Sequence, residues 1–292
     1  GNLMVHIADV ASAVSHGSSL DEVARLRLQS IYASAMPLHM LPPVLLHSCC
    51  LSDELPNECL TALLQLDATG RVRHCRIIRS VVPPVRTLTF AQVDELLVDR
   101  SIDSPVHDEL RTLARLCLQR AAGRGRALNR TTPTVRWRGV RDGAVRPELV
   151  MKTPARTMVD EALSMFSYAA RGTTRRLNLA RLPQTGNNRI GTGPLRRYSD
   201  LVAQRQLCAA LCGEEGMPAS EVAAVERWIK QKQADLQVAL QRTEQPQMLR
   251  ALESVCARQA SASRAGFAVL EGVVTRAASQ TGGRDGRPTP LE

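Results

Sequence analysis

Apolar runs in the first third of the chain predict an antiparallel sheet. Residues 3–10 form a nearly continuous apolar run, which is typical of a buried strand. Residues 59–67 and 71–81 flank the turn sequence Ala68-Thr69-Gly70, and this arrangement predicts a β-hairpin. The arginine-rich stretch at residues 123–147 is predicted to be loop with short strands, including one at residues 135–137.

Helical periodicity dominates the rest of the chain. Ser18 and Ser19 precede a helix predicted to run to about residue 32, with Asp21 and Glu22 in the first turn, where the helix dipole favours anions. Further helices are predicted at about 89–98, 106–121, 156–170, 194–212, 220–241 and 246–260. Residues 171–192 read as a loop, 265–275 as a strand and 280–292 as a disordered tail. We therefore expect an α+β fold in which a mixed sheet packs with helices and the C-terminal part is helical.

The charge is concentrated in one part of the chain. The 292 residues are 44% hydrophobic, which is enough for a core, and carry a net charge of +10. Between Arg120 and Asp200 there are 17 basic residues and 5 acidic ones, a net charge of +12. Such a block is typical of a surface that binds phosphate backbones. The alternative is that a GC-rich genome raised the arginine content and that loops collect solvated charge.

Cysteines and short motifs exclude several kinds of site. The eight cysteines include no CxxC pair, and no phosphate-binding GxxxxGK[ST], GxSxG or HExxH motif is present. His47 with Cys49, Cys50 and Cys59 is a conceivable zinc set, but adjacent cysteines chelate poorly, and we expect buried reduced thiols instead. This pattern favours an intracellular, reducing compartment. No apolar run reaches the length of a membrane span, so no membrane association is expected.

Four stretches of the sequence resemble the RNB family, the catalytic domain of ribonuclease II, ribonuclease R and the hydrolytic subunit of the exosome. Residues 5–10 (VHIADV) with 17–21 (GSSLD) form the first, and Ile31-Tyr32 with 40–42 (MLP) form the second. Residues 194–201 (PLRRYSDL) with 204–207 (QRQL) match the family's arginine signature, and residues 161–170 resemble a helix that precedes it. The similarity spans about residues 3–207.

The resemblance implies hydrolytic 3′→5′ removal of nucleotides from single-stranded RNA, with four aspartates holding two Mg²⁺ ions. It places Tyr32 on the tyrosine that stacks against the terminal base, Arg196 on the arginine near the scissile phosphate, and Arg197 on its basic neighbour. Arg196 is the one candidate for a catalytic role, by family position. The alternatives are a core aromatic for Tyr32 and surface charges for the two arginines. The full set of candidate RNA-binding residues is Tyr32, Arg196, Arg197, Tyr198, Arg175, Arg176 and Arg189.

The sequence also departs from the family pattern. The aspartate cluster of the family lies shortly before the VHIADV strand, so we expect no metal ligand in this chain and Mg²⁺ only if such a cluster lies upstream of Gly1. Gly193 replaces a serine of the signature, and the family's channel insertion is shortened near residues 171–192. We expect an RNB-like domain over residues 1–262, truncated at its N-terminus, followed at 263–292 by the start of an S1-like strand and a disordered tail.

These observations favour an RNA-binding protein of the RNB fold that is catalytically inactive. Its expected role is a structural, RNA-contacting component of a larger ribonucleoprotein, for example an organellar ribosome. The expected partners are single-stranded or structured RNA and other proteins of the complex, without DNA, in a mitochondrion or another organelle. The alternative is an active 3′→5′ exoribonuclease whose Mg²⁺-binding aspartates lie upstream, so the sequence leaves enzymatic activity open.

Overall fold

The computed structural model of the chain describes residues 1–32, 37–99, 105–124, 134–139, 145–177, 182–183 and 189–239. Its strands are β1 (Asn2–Ala8), β2 (Ile31–Tyr32), β3 (Pro37–Leu38), β4 (Asn57–Leu66), β5 (Val72–Val82), β6 (Thr134–Gly139) and β7 (Val145–Val150). Its helices are α1 (Ser19–Arg27), α2 (Pro43–Cys49), α3 (Phe90–Val98), α4 (Pro105–Gly123), α5 (Pro154–Arg176), α6 (Tyr198–Cys212) and α7, at residues 219–239. The expected α+β class is confirmed.

The main sheet is antiparallel, with strand order β1-β4-β5. The predicted strand at the start of the chain and the predicted hairpin are both confirmed. These segments form strands because side chains alternate between two faces and one face is apolar and buried. At the hairpin turn, Asp67 accepts hydrogen bonds from the backbone N–H groups of Thr69 and Arg71. Gly70 follows at φ +77°, and a Cβ there would lie 2.7 Å from the carbonyl oxygen of Leu116, so both backbone conformation and packing require glycine.

Helix α1 begins as predicted and ends earlier than predicted. The Ser18 side chain accepts a hydrogen bond from Asp21 N, which caps the helix. The prediction that the helix runs to about residue 32 is wrong, because Leu28 has φ +66° and the chain leaves the helix there. The backbone of residues 28–30 pairs instead with residues 196–198: Tyr198 N donates to Leu28 O at 2.9 Å and Ser30 N to Arg196 O at 3.0 Å. This long-range pairing joins the start of the chain to the arginine signature.

Helix α5 is longer than the sequence pattern indicated. Thr153 caps it, and it continues through Arg176, so the loop predicted to begin at residue 171 is wrong for residues 171–176. In this extension Thr173 and Thr174 are buried, and the Thr174 hydroxyl donates to Ala170 O. The helix that we predicted from residue 194 begins instead at Tyr198, after a turn in which Gly193 O accepts from the backbone N–H groups of residues 196 and 197.

Two apolar clusters meet at α6. The first lies between the main sheet and α3, α4 and α5, with Phe166 fully buried, and the second lies among α1, α6, α7 and the Met40-Leu41 segment. Gln204 of α6 is completely buried and ties the two together: its Oε1 accepts from Val10 N at 3.2 Å and its Nε2 donates to Ala8 O at 2.8 Å. The end of β1 is thereby fixed against α6.

The remaining predicted elements divide between the described and the other parts of the chain. Helices α3, α4 and α7 and the strand at residues 135–137 are confirmed. The helix predicted at 246–260, the strand at 265–275, the tail from 280 and the domain boundary at 262 lie outside the described residues. Among the helices that the structure describes, none is both long and apolar enough to cross a membrane.

Candidate functional site

A pocket of about 420 Å³ opens where β1 ends, between α2 and the turn that precedes α6. One wall is apolar and consists of Ile7, Leu46, Leu51, Pro194 and Leu195. Its polar lining includes His6, Ser30, Cys50 and Thr192, and Tyr32 and Arg196 also face it. An apolar wall with a few polar groups is the usual composition of a small-ligand site.

Tyr32 presents a largely free aromatic ring to this pocket. The residue is 63% exposed and sits on the two-stranded ribbon of β2 and β3, paired with Pro37. Its ring makes an edge contact with His39, with 6.5 Å between the centroids and 83° between the planes. The core-aromatic alternative for Tyr32 is therefore wrong, and its ring can stack on a planar group.

Arg196 is held by its backbone and leaves its guanidinium free for a ligand. Its N–H donates to Gly193 O at 3.1 Å, and its carbonyl accepts from Ser30 N at 3.0 Å. Its side chain is exposed and makes no hydrogen bond or ion pair with any residue that the structure describes. The pKa of Arg196 is lowered, first because surrounding protein displaces part of its water and next because Arg197 is close. A bound anion would oppose both effects on the pKa, because a nearby negative charge favours the charged guanidinium.

Arg197 has a different environment, although it is the next residue. Its Nε donates to Asp200 Oδ2 at 2.7 Å and its Nη2 to Thr192 Oγ1 at 2.9 Å. Asp200 is buried and also accepts from the N–H groups of Gly191, at 3.1 Å, and Gly193, at 2.8 Å. Burial raises the pKa of Asp200, and Arg197 and the two N–H groups oppose that shift. The predicted RNA contact of Arg197 thus becomes a structural one: it holds the turn that presents Arg196.

Tyr198 points away from the pocket, which corrects its prediction as an RNA contact. It is 2% exposed and lies in the second apolar cluster. Burial raises its pKa to about 12, and the negative charge of Asp21, which pairs with Arg205 at 2.8 Å, acts in the same direction. The signature places this tyrosine at the first residue of α6, on the side that packs against α1.

The other three predicted RNA contacts lie outside the pocket. Arg175 and Arg176 line a separate groove of about 910 Å³ at the end of α5, together with Arg73 and Arg76 of β5. Arg176 is partly fixed there, since its Nη2 donates to Cys75 O at 2.8 Å. The structure therefore does not bring the seven predicted residues into one site.

Arg189 belongs to an arginine–carboxylate cluster between α4 and α5, which consists of Arg120, Arg124, Asp160, Glu161 and Arg189. Arg189 pairs with Asp160, and Glu161 pairs with Arg124 and, at 3.1 Å, with Arg120. The Glu161 side chain is only 4% exposed. Sequence reasoning missed this cluster. The signal available was the spacing of Arg120 and Arg124, one helical turn apart, opposite adjacent carboxylates on a second helix.

The carboxylates near the pocket do not fit a two-magnesium centre. Oδ2 of Asp9, the residue after β1, accepts from the Ser12 hydroxyl at 2.8 Å and from Arg79 Nε at 3.2 Å, and its Oδ1 accepts from Ser12 N at 3.2 Å, so both oxygens are already paired. Mg²⁺ requires several hard oxygen ligands in octahedral geometry. In the described part of the chain, no three His, Cys, Asp or Glu side chains are grouped to hold a metal.

The described cysteines are unpaired. Cys59 and Cys117 are buried, as expected, and burial raises their pKa values to about 11 and about 12. Cys50 and Cys212 are exposed, which corrects the expectation of buried thiols at those two positions. Cys50 is exposed because it follows the short helix α2, none of whose residues is buried.

Comparison with known proteins agrees with this architecture. The family model of the RNB domain matches residues 1–170. The chain belongs to the RNB family. The sequence resemblance is thereby confirmed.

A curated relative and two solved structures give the extent of the similarity. The chain is 33% identical to ribonuclease R 2 of Lactococcus lactis over 96 residues, which are 32% of this chain and 14% of that protein. Mycoplasma genitalium RNase R in complex with ribose-methylated single-stranded RNA superposes with a TM-score of 0.68 at 16% identity, over 88% of this chain and 54% of the other. Yeast Ssd1, a pseudonuclease, superposes with a TM-score of 0.60 at 17% identity, over 78% of this chain and 38% of the other. At such identities, the likeness to solved structures shows the fold.

Proposed function

We propose that this RNB-family chain binds single-stranded RNA, with one nucleotide in the pocket between Tyr32 and Arg196, and holds it without cleavage. The observation that carries the proposal is that an exposed aromatic ring and an arginine without a described partner line the same pocket. A base stacks on an aromatic ring whatever its identity, and a guanidinium binds phosphate through two parallel N–H groups. By family resemblance, the nucleotide is the one at the 3′ end.

Binding is favoured over hydrolysis because the nearby carboxylates are already paired with arginines. Asp9 is paired with Arg79, and Asp200 with Arg197. The RNB-like fold of yeast Ssd1 belongs to a pseudonuclease, so the fold is compatible with a role that lacks cleavage. The alternative, a 3′→5′ exoribonuclease, needs Mg²⁺ ligands outside the described residues. We extend the proposal to a scaffold role with protein partners in a ribonucleoprotein, in a mitochondrion or another organelle.

Binding and hydrolysis separate in a single experiment. The purified chain is incubated with Mg²⁺ and a single-stranded RNA labelled at its 3′ end. We expect a retarded complex and intact RNA. Release of labelled mononucleotides would establish the exoribonuclease alternative, and absence of any complex at low salt would overturn RNA binding itself.

The site of binding is tested with Arg196→Gln and a matched control, Arg71→Gln. Arg71 is an exposed arginine at the turn of the β4–β5 hairpin, outside the pocket. Loss of one phosphate contact should lower the slope of log K against log salt concentration by about 0.7 for a single strand. We expect this change for Arg196→Gln only. An unchanged slope for Arg196→Gln would place the contact surface elsewhere.

A further inference from the structure

Three hydrogen-bonded polar side chains extend from the main sheet into the pocket. His6 of β1 and Thr61 of β4 are directly paired across the strands, and His6 Nδ1 lies 2.7 Å from Thr61 Oγ1. Thr61 Oγ1 lies 2.6 Å from Ser80 Oγ on β5. Thr61 is 1% exposed, and His6 also lines the pocket. Neither the family motifs nor the proposed stacking and phosphate contacts assign a role to these three side chains.

The hydrogen bonds among these three side chains can run in either direction. When Ser80 donates to Thr61 and Thr61 donates to His6 Nδ1, the histidine proton resides on Nε2. When His6 Nδ1 donates to Thr61 and Thr61 donates to Ser80, Nε2 becomes an acceptor. Burial lowers the pKa of His6, which keeps the ring neutral and both arrangements available. His6 Nε2 has no hydrogen-bond partner among the residues that the structure describes.

A group that offers either a donor or an acceptor suits a hydroxyl ligand best. A phosphate oxygen only accepts, and a given base edge presents a fixed pattern of donors and acceptors. The ribose 2′-hydroxyl does both, and it is the group that distinguishes RNA from DNA. In the pocket, Tyr32 suits the base and Arg196 the phosphate, so the ribose of the same nucleotide is the part left for His6.

We propose that His6 Nε2 hydrogen-bonds to the ribose 2′-hydroxyl of the nucleotide between Tyr32 and Arg196 and makes the pocket select RNA over DNA. Thr61 and Ser80 are the positioning residues that orient the imidazole. The inference rests on the proposed function, because it assumes a nucleotide in this pocket.

The test compares two amide replacements of His6. Affinities are measured for an RNA strand and for the same strand with 2′-deoxy sugars at its last two nucleotides. One hydrogen bond contributes roughly 0.5–1.5 kcal/mol, so wild-type protein should bind the deoxy-ended strand about two- to tenfold more weakly. His6→Gln should keep this ratio, because its amide reaches the Nε2 position and offers both donor and acceptor. His6→Asn should lose it, since the shorter amide reaches only the Thr61 side.

Two further variants exclude a general structural effect. Thr61→Val keeps the shape of the side chain but removes the hydroxyl, and the RNA-to-deoxy ratio should fall towards one. His74→Asn, an exposed histidine of β5 outside this pocket, should leave the ratio unchanged. Far-UV circular dichroism confirms that each variant is folded. If Thr61→Val does not fold, the His6 pair alone carries the test.

The outcomes distinguish the two proposals. If wild-type protein binds RNA but binds the deoxy-ended strand equally well, the role of His6 is overturned and RNA binding stands. The role of His6 is also overturned if His6→Asn retains the ratio of affinities for the RNA and deoxy-ended strands. It is overturned as well if His6→Gln and His6→Asn change the preference among bases rather than among sugars. If wild-type protein binds neither strand, the proposed function fails and the inference fails with it.

Discussion

The pocket between Tyr32 and Arg196 and the arginine–carboxylate cluster between α4 and α5 use the same kind of residue in opposite ways. In the cluster, arginine charge is neutralised by Asp160 and the buried Glu161. In the pocket, Arg196 has no partner among the described residues, and an exposed aromatic ring lines the same cavity. Both regions lie near or within the arginine-rich block, so the number of arginines in the block overstates the number of guanidinium groups available to a ligand.

The difference has a physical origin in burial. A carboxylate such as Glu161, 4% exposed, is costly to keep charged unless cations surround it, so it recruits arginines that solvent would otherwise hold. Arg196 sits on a turn whose own carboxylate, Asp200, is already satisfied by Arg197 and two backbone N–H groups. The cluster is therefore expected to contribute to stability and the pocket to binding.

The largest effect should come from breaking the cluster with Glu161→Gln. This change leaves Arg120 and Arg124 close together without their buried anion, and removal of one partner of a buried ion pair typically costs about 3–5 kcal/mol. Urea unfolding should show this loss in the free energy of unfolding. The control is Asp160→Asn, whose carboxylate is 47% exposed and should cost only about 0–1 kcal/mol. Equal losses for the two variants would contradict the distinction between buried and exposed pairs.

The pocket should respond in the opposite manner to Tyr32→Ala. Loss of base stacking on an aromatic ring weakens binding by about 1–3 kcal/mol per base. The free energy of unfolding should hardly change, because the ring is 63% exposed. Tyr32→Phe keeps the stacking surface and should retain the affinity, as measured by fluorescence anisotropy with labelled single-stranded RNA. A large loss of stability in Tyr32→Ala would instead assign the ring a structural role.

A smaller effect on RNA affinity is expected from a change in the cluster that alters the charge near the pocket. Asp160→Asn removes the anion that faces Arg189, whose charge is close enough to Arg196 to lower its pKa. The extra positive potential should raise RNA affinity by about twofold at low salt and less at high salt. Asp108→Asn is the matched control, since Asp108 forms an exposed pair with Arg111 on α4, away from the pocket. If both variants behave alike, the nearby cluster does not affect the pocket.

The smallest effect concerns pH and His6. Its pKa in the folded protein is lowered from 6.5 by burial, so the unfolded chain takes up the proton first as the pH falls. The stability from the neutral ring is therefore fully present above pH 6.5 and is lost as the pH falls towards the folded pKa. His6→Gln should reduce this pH dependence of the urea midpoint. A variant at exposed His74 should not, and an unchanged profile for His6→Gln would rule out the contribution.

Much of the fold could be predicted from local pattern. The spacing of apolar residues and the turn residues predict the first strand and the β4–β5 hairpin, and capping chemistry predicts the caps at Ser18 and Thr89. These signals act within a few residues of the chain. The errors occur where distant contacts decide. Helix α1 ends early because residues 28–30 pair with residues 196–198, and the last turns of α5 carry two threonines, Thr173 and Thr174, that are buried against the rest of the protein.

The candidate site shows the same division. The family motifs indicated Tyr32 and Arg196, and both line the pocket. The motifs could not separate Arg196 from Arg197, since adjacent residues of the same type differ here only in which side chains fold towards them. They also could not indicate that Tyr198 is buried, or that Thr61 and Ser80 orient His6 through contacts between residues 19 and 55 positions apart.

The sequence by itself determined the family, the α+β class, most element positions and the presence of a strongly basic block, because these depend on local composition and order. Only the tertiary structure decided which charges are available. The buried carboxylates Glu161 and Asp200 pair with Arg120, Arg124 and Arg197, and this leaves Arg196 facing the pocket beside Tyr32 and His6. The physical reason is that the cost of burying a carboxylate is met by whichever arginine the fold brings near, and linear order does not specify that arginine.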